Sequence, residues 1–408
     1  MRAVVRDLPG SKIREVANAG MGRSDVLAFW FGEGDEPTPA FVRDAAIASM
    51  QSGDTFYSHN LGLPELREAL SRYVSGLHRP VGPQRIAVTS SGVNALMLAM
   101  QALVGAGDEV VAVVPVWPNL TAQPAILGAA VKRVSLKVQA GAWTLDMDAL
   151  LNAVTERTRV LLVNAPNNPT GWTLTRAEQQ TILAHCRRTD TWIVADEVYE
   201  RIYFGLEPLA AEPPPGGRAP PRGAGAAGDV GVPSTAPSFL DIAEADDKLI
   251  VAHSFSKSFL MTGWRLGWLV VPPTLLDAVG KLIEFNTSCA PVFVQRAGLA
   301  ALAQADAFVP GLIQRLKTCR DTLIPALSAV PGVQVANPPG GMYAFFRVDG
   351  QNDSLAFAKR LVGEVGLGLA PGAAFGDEAE GWLRWCFASR DPQRLLDGVA
   401  RLAKAVRL

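Results

Sequence analysis

The stretch Ser254-Phe255-Ser256-Lys257-Ser258-Phe259-Leu260-Met261-Thr262-Gly263-Trp264-Arg265-Leu266-Gly267-Trp268 follows an apolar run, Leu249-Ile250-Val251-Ala252. A lysine just past a buried strand is unusual, because an ammonium removed from water without a partner is costly. Two readings are open. Lys257 is either a strand-end lysine whose amine reaches solvent, or a desolvated amine of lowered pKa that forms a Schiff base with an aldehyde. In the second reading Ser254, Ser256 and Arg265 are placed to hold a phosphate beside it.

Working outward, the chain alternates strands and helices on both sides of this stretch. Ile86-Ala87-Val88-Thr89 reads as a strand, Ser90-Ser91-Gly92 as a tight turn, and Val93 to Val104 as a helix of apolar period. Small residues before a helix N-terminus make an anion site, since free N–H groups and the helix dipole point the same way. A plain strand–helix turn is the alternative, and there is no dinucleotide or ATP motif here. Glu109 to Val114 is the next strand and ends in Pro115-Val116-Trp117-Pro118, where the indole is either packing or a flat wall for a ring. Val160-Leu161-Leu162-Val163 runs into Asn164-Ala165-Pro166-Asn167-Asn168-Pro169-Thr170-Gly171, and Thr175 with Glu178 can cap the following helix. Trp192-Ile193-Val194-Ala195 runs into Asp196-Glu197-Val198-Tyr199.

Two regions depart from the alternation. Residues 206–237 are rich in Pro, Gly and Ala and read as a flexible surface insertion. Beyond about residue 290, long amphipathic helices and short strands describe a smaller α+β domain. The expected organisation is an N-terminal arm (1–44) packing with the small domain, a large α/β domain (45–290) with a mainly parallel sheet flanked by helices, and a C-terminal small domain (291–408). Arg384 lies inside the apolar strand Trp382 to Ala388 and needs an anion, either a structural carboxylate or a substrate carboxylate held by its fork. In the arm, Phe31-Gly32-Glu33-Gly34 is an ordinary connection or a backbone that approaches a ligand. Tyr57 alone reads as a half-buried surface tyrosine.

Bulk properties exclude several classes. The 408 residues are 49% hydrophobic and 19% charged, enough for a large core and two domains. With 38 basic and 39 acidic residues, net charge is −1, so neither nucleic acid nor an anionic membrane is an expected partner. Four scattered cysteines and four dispersed histidines give no metal pattern. The first residues lack a signal-peptide core, and no uncharged apolar run reaches bilayer length. The expectation is a cytoplasmic protein without a metal.

The unusual residues share one address: the carboxyl ends of successive apolar strands, where ligands bind in such sheets. Their chemistry converges on pyridoxal 5′-phosphate. A lysine captures its aldehyde, a carboxylate keeps its ring nitrogen protonated, phenol and amide groups bond its ring oxygen, and an indole stacks on its face. The chain resembles the class I/II aminotransferases, fold-type I pyridoxal-phosphate enzymes related to aspartate aminotransferase, from about Ala28 to the C-terminus. The carrying motifs are Asn167-Asn168-Pro169-Thr170-Gly171, Asp196-Glu197-Val198-Tyr199 and Ser254-x-x-Lys257 with Met261-Thr262-Gly263-Trp264-Arg265.

The resemblance implies roles by position. Lys257 is the Schiff-base lysine, Asp196 faces the ring nitrogen, Tyr199 and Asn168 the ring oxygen, and Trp117 stacks. Gly92, Val93, Ser254, Ser256 and Arg265 bind phosphate. Arg384 takes the substrate α-carboxylate beside the Gly32 backbone, with Trp117 and Asn168 also against the substrate. Tyr57 reaches the phosphate of the neighbouring subunit, implying a homodimer with shared active sites. Two features depart from relatives: Val116 replaces a common tyrosine, and 206–237 is added. The implied activity is ping-pong transamination between an L-amino acid and a 2-oxo acid. No second arginine stands out for a dicarboxylic substrate. A pyridoxal-phosphate β-lyase would use the same residues, and an aminotransferase-like sensor would want a DNA-binding segment and a basic patch.

Overall fold

A computed structural model describes residues 1–205 and 235–406. Most of the 206–237 stretch therefore lies outside the described residues. Positions 235–237 are described: Ala236 is buried and its N–H donates to Glu200 O at 2.8 Å.

The large sheet has seven strands: β1 (Ile86–Thr89), β2 (Glu109–Val114), β3 (Ala130–Ser135), β4 (Thr158–Asn164), β5 (Trp192–Asp196), β6 (Leu249–Ser254) and β7 (Gly267–Val270). Their spatial order is β1-β7-β6-β5-β4-β2-β3. Five neighbouring strands, β6 through β3, pair in parallel, whereas β7 runs antiparallel to both β6 and β1. The inner strands are apolar through their centres because both faces are covered, whereas the edge strand β3 carries Lys132 and Arg133 and is partly exposed. Val111, Val113, Leu161, Val163, Ile193 and Val251 enter one core, and the alternating Val110, Ala112, Val160, Leu162, Val194 and Ile250 enter the other. This is the period of two expected for a sheet buried on both sides. Each such Val, Leu or Ile contributes roughly 1.5–3 kcal/mol by leaving water.

The smaller sheet is antiparallel throughout: β8 (Val333–Val335), β9 (Tyr343–Val348), β10 (Ala370–Pro371) and β11 (Trp382–Cys386), in the order β8-β9-β11-β10. Helix α1 (Lys12–Gly20) buries Ile13, Val16, Ala17 and Gly20 and leaves Arg14 on its outer side. It packs on the helix Ser354–Val365, so closely that a Cβ on Gly20 would come 2.9 Å from Val362 Cγ1. Helix α2 (Gly92–Leu103) follows β1. Helix α3 (Arg176–Thr189) opens with the expected capping box, Thr175 Oγ1 accepting from Glu178 N while the Glu178 carboxylate accepts from Thr175 N. No described helix is long and apolar enough to cross a membrane.

Candidate active site

The parallel strands β4, β5 and β6 bring Asn168, Asp196, Tyr199 and Lys257 to one sheet edge, each at or just beyond a carboxyl end. Because β7 is antiparallel, its amino end lies at that edge too, which delivers Arg265. Helix α2 starts there as well, and the small sheet closes the opposite wall with Arg384 of β11. The result is a cleft of about 450 Å³ lined by every residue proposed from the sequence except Tyr57. Tyr57 is 88% exposed and does not reach the cleft of its own chain.

The floor where α2 begins is built for close approach. Ser91, at φ 127°, holds a conformation that costs a non-glycine residue of order 1–3 kcal/mol; its hydroxyl accepts from Asn94 N at 3.1 Å. A Cβ on Gly267 would lie 2.7 Å from Gly92 N and 2.7 Å from His253 O, so only glycine lets strand and helix meet here. Ser254 Oγ donates to Ser256 Oγ at 2.9 Å, and Ser256 N donates to Ser254 Oγ at 3.1 Å. Arg265 leans over the same floor, its Nη1 donating to Thr262 O at 2.7 Å.

Five charged groups line the cleft without an ion-pair partner among the described residues: Arg265 on the floor, Arg14 at the wall, and Lys257, Asp196 and Arg384 between them. Lys257 Nζ donates to Gly32 O at 2.6 Å. Part of Lys257 opens into the cleft, yet the surrounding protein excludes enough water to lower its pKa to about 8; Arg384 and Arg265 add to the lowering, and Cys386 and Glu33 oppose it. Asp196 is 2% exposed, and the one hydrogen bond to its carboxylate among the described residues, from Val198 N, is long at 3.4 Å. Burial raises its pKa to about 7, against the pull of Val198 N–H and Lys257. Arg384, also 2% exposed, donates through Nη2 to Trp30 O at 2.5 Å and through Nη1 to Asn168 Oδ1 at 2.9 Å. Its Nε has no hydrogen-bond partner among the described residues, and its guanidinium lies between the rings of Tyr343 and Phe375, 4.5 and 4.9 Å from their centroids.

Four participants escaped the sequence reading. Asn164 ties the Asn168 loop to β5, accepting from Asn168 N at 2.7 Å and donating to Asp196 O at 3.0 Å. Tyr343 of β9 faces Tyr199, their hydroxyls 2.7 Å apart. Phe31 and Arg14 stand at the cleft wall, the Arg14 guanidinium 5.7 Å from the Phe31 centroid, and Arg14 makes no ion pair among the described residues. Asn164 could have been found as another strand-end asparagine; Tyr343 and Arg14 carried no such signal.

The histidines, dispersed in sequence, partly converge in space. His78 lies between Asp241 at 2.9 Å and Glu200 at 3.0 Å, and His253 Nδ1 is 3.6 Å from Glu200. Burial alone would push His78 down, but Asp241 and Glu200 outweigh it and hold its pKa near 10. Glu197, Glu200 and His253 bring possible ligand atoms within 4.8 Å of one another. These groups are already engaged: Glu197 accepts from Ser238 Oγ at 2.5 Å and Phe239 N at 3.2 Å.

A mainly parallel sheet whose carboxyl edge gathers a low-pKa lysine, a buried carboxylate and a buried arginine has the make-up of a lysine-centred enzyme site. The chain belongs to the aminotransferase class I and II family, whose model matches residues 26–402. Members of this family use pyridoxal phosphate. It is 31% identical to a probable aspartate/prephenate aminotransferase of Aquifex aeolicus, over 97% of this chain and 94% of the relative. It is 28% identical to the arginine–pyruvate transaminase of Pseudomonas aeruginosa, over 91% and 87%. Among solved structures, a single mutant of Thermus thermophilus aspartate aminotransferase superposes with a TM-score of 0.86 at 28% identity, covering 99% of each chain.

Proposed function

We propose that this protein is a pyridoxal-phosphate-dependent aminotransferase that moves an amino group from an L-amino acid to a 2-oxo acid in two half-reactions, by a ping-pong mechanism. The observation that carries the reading is that Asp196, Lys257 and Arg384 face one cleft, none with an ion-pair partner among the described residues. A buried carboxylate without a cation, a lysine without an anion and a buried arginine without a carboxylate are each costly alone. A ligand bringing a protonated ring nitrogen, an aldehyde and, with the substrate, a carboxylate would complement all three.

When bound, the cofactor supplies an aldehyde that captures amines and a protonated ring that draws electrons from the substrate Cα. Asp196 would face the ring nitrogen, and the cofactor's positive charge would then pull its carboxyl below the raised value it has without one. Tyr199 would donate to the ring oxygen. Asn168 accepts from Arg384 through Oδ1, which leaves its amide N–H groups for the same oxygen. Trp117 would cover the ring face, and Gly92, Val93, Ser254, Ser256 and Arg265 would hold the phosphate. Arg384, aimed by Trp30 O and Asn168, would orient the substrate α-carboxylate beside Gly32. Lys257, displaced by the donor amine, would take the Cα proton on Nζ and return it on the other side of the transferred nitrogen.

Arg14 supports a donor or acceptor with a second anionic group, since it is the cleft cation left over once Lys257, Arg265 and Arg384 are assigned. A panel of amino donors with 2-oxoglutarate and pyruvate, run on wild type and Arg14→Gln, tests both statements. The expected result is continued turnover to 2-oxo acid only with an acceptor present, no more than one equivalent per site forming without it, and a loss in kcat/KM of about 5- to 30-fold (~1–2 kcal/mol) for acidic substrates in Arg14→Gln with little change for alanine. Pyruvate and ammonia released from cysteine-like donors without an acceptor would replace the reading by a β-lyase.

The exposed Tyr57, beside an equally bare Phe56 at 84% exposure, supports a homodimer in which Tyr57 enters the partner's site. Mixing Tyr57→Phe with Lys257→Ala subunits should place both lesions in half of the mixed-dimer sites and neither in the other half. Mixed dimers should therefore regain about half the wild-type activity per dimer; no recovery above the Tyr57→Phe parent would exclude a shared site.

A further inference from the structure

We propose that Tyr343 is a positioning residue with two tasks: its hydroxyl turns the proton of Tyr199 into the cleft, and its ring carries the guanidinium of Arg384. The inference rests on the cofactor reading above.

Both rings are buried, Tyr199 at 3% and Tyr343 at 0% exposure, and their hydroxyl oxygens lie 2.7 Å apart. A phenol has one proton to donate. Of two facing phenols only one can donate to the other, and the donor then has nothing left to give. Tyr343 Oη is backed by Gly32, where a Cβ would collide with it, and the carbonyl of Gly32 already accepts from Lys257 Nζ. Among the described residues, Tyr199 Oη is the hydrogen-bond partner of Tyr343 Oη. Once an electron-rich oxygen stands in front of Tyr199, the consistent arrangement is a relay: Tyr343 donates to Tyr199, and Tyr199 donates onward. Burial, and then the facing Tyr343, hold Tyr199 well above the ordinary phenol value, so it stays a neutral donor.

The ring does separate work. Tyr343 packs edge-on to Tyr199, with centroids 5.7 Å apart at 76°. The Arg384 guanidinium sits 4.5 Å from the Tyr343 centroid, and its two outer nitrogens are fixed by Trp30 O and Asn168 Oδ1. One side chain therefore sets the aim of a proton donor and of a carboxylate binder. Phenylalanine at this position would keep the second task and lose the first.

The test is a pH titration of the visible absorption of the lysine-bound cofactor in wild type, Tyr343→Phe, Tyr199→Phe and the double variant. Weakening the donor at the ring oxygen leaves more negative charge there to retain the proton shared with Lys257 Nζ. The midpoint should therefore rise in Tyr343→Phe by roughly 0.4–1 pH unit, the size of one neutral hydrogen bond. It should rise further in Tyr199→Phe, and adding Tyr343→Phe to that variant should move it no more. Tyr343→Leu should raise KM for the amino donor roughly 3- to 10-fold above Tyr343→Phe, by loss of the stacked ring. A wild-type midpoint in Tyr343→Phe, or an equal shift with and without the Tyr199 hydroxyl, would overturn the relay. Equal KM values for the Leu and Phe variants would overturn the stacking role. Absence of any visible band in the wild type with added cofactor would overturn the cofactor reading itself, and this proposal with it.

Discussion

Lys257→Ala is expected to lower kcat by about 10⁴-fold or more, because it removes the amine proposed both to hold the cofactor and to carry the Cα proton. The stability cost should be small. The amine makes one hydrogen bond, to Gly32 O, and no ion pair among the described residues, so its loss strands no buried charge. Thermal unfolding without cofactor should therefore stay close to wild type while turnover collapses, and a half-reaction at the wild-type rate would remove Lys257 from the chemistry. The same group fixes a pH profile in the wild type. Its pKa is lowered to about 8 by burial, and only the neutral amine attacks an aldehyde. Cofactor capture by the empty enzyme should accelerate roughly tenfold per pH unit below that value and level off above it. An ordinary surface lysine would keep accelerating to about pH 10.

Arg384→Leu should have the second largest effect, lowering kcat/KM by roughly 10²- to 10³-fold (~3–4 kcal/mol), the cost of removing one side of a buried charge pair. The loss should appear mainly as a raised KM, and it should nearly vanish for simple amines that lack a carboxylate. Arg384→Lys should not restore it. Trp30 O and Asn168 Oδ1 hold two nitrogens of a planar fork, a geometry that an ammonium cannot reproduce. Equal losses for carboxylated and uncarboxylated amines would mean that the residue serves only the packing of β11.

The sheet was legible because burial on both faces writes itself as uninterrupted Val, Ile and Leu. The site was legible because polar residues immediately beyond such runs have few structural reasons to be there. Lys257, Asp196, Asn168 and Tyr199 all follow that pattern. Arg14 does not, since a charge on a short amphipathic helix reads as its solvated side, and only the packing of α1 places it at the cleft. Tyr343 was hidden for the opposite reason: in Tyr343-Ala344-Phe345-Phe346 an aromatic side chain looks like core, and only the register of β9 with β11 brings its hydroxyl to Tyr199. The direction of β7 and the meeting of His78, Glu200 and His253 are likewise products of tertiary pairing that no local pattern records.

The hydrogen bond from Arg384 to Trp30 O joins positions 354 residues apart. Binding of the substrate carboxylate thus depends on a contact that cannot form until nearly the whole polypeptide has been synthesised and its two ends have met. Closing so long a loop comes late in assembly, after the local strand–helix units. A nascent or truncated chain could hold its central sheet and its lysine and still lack a grip on the amino acid, so substrate recognition reports that assembly is complete.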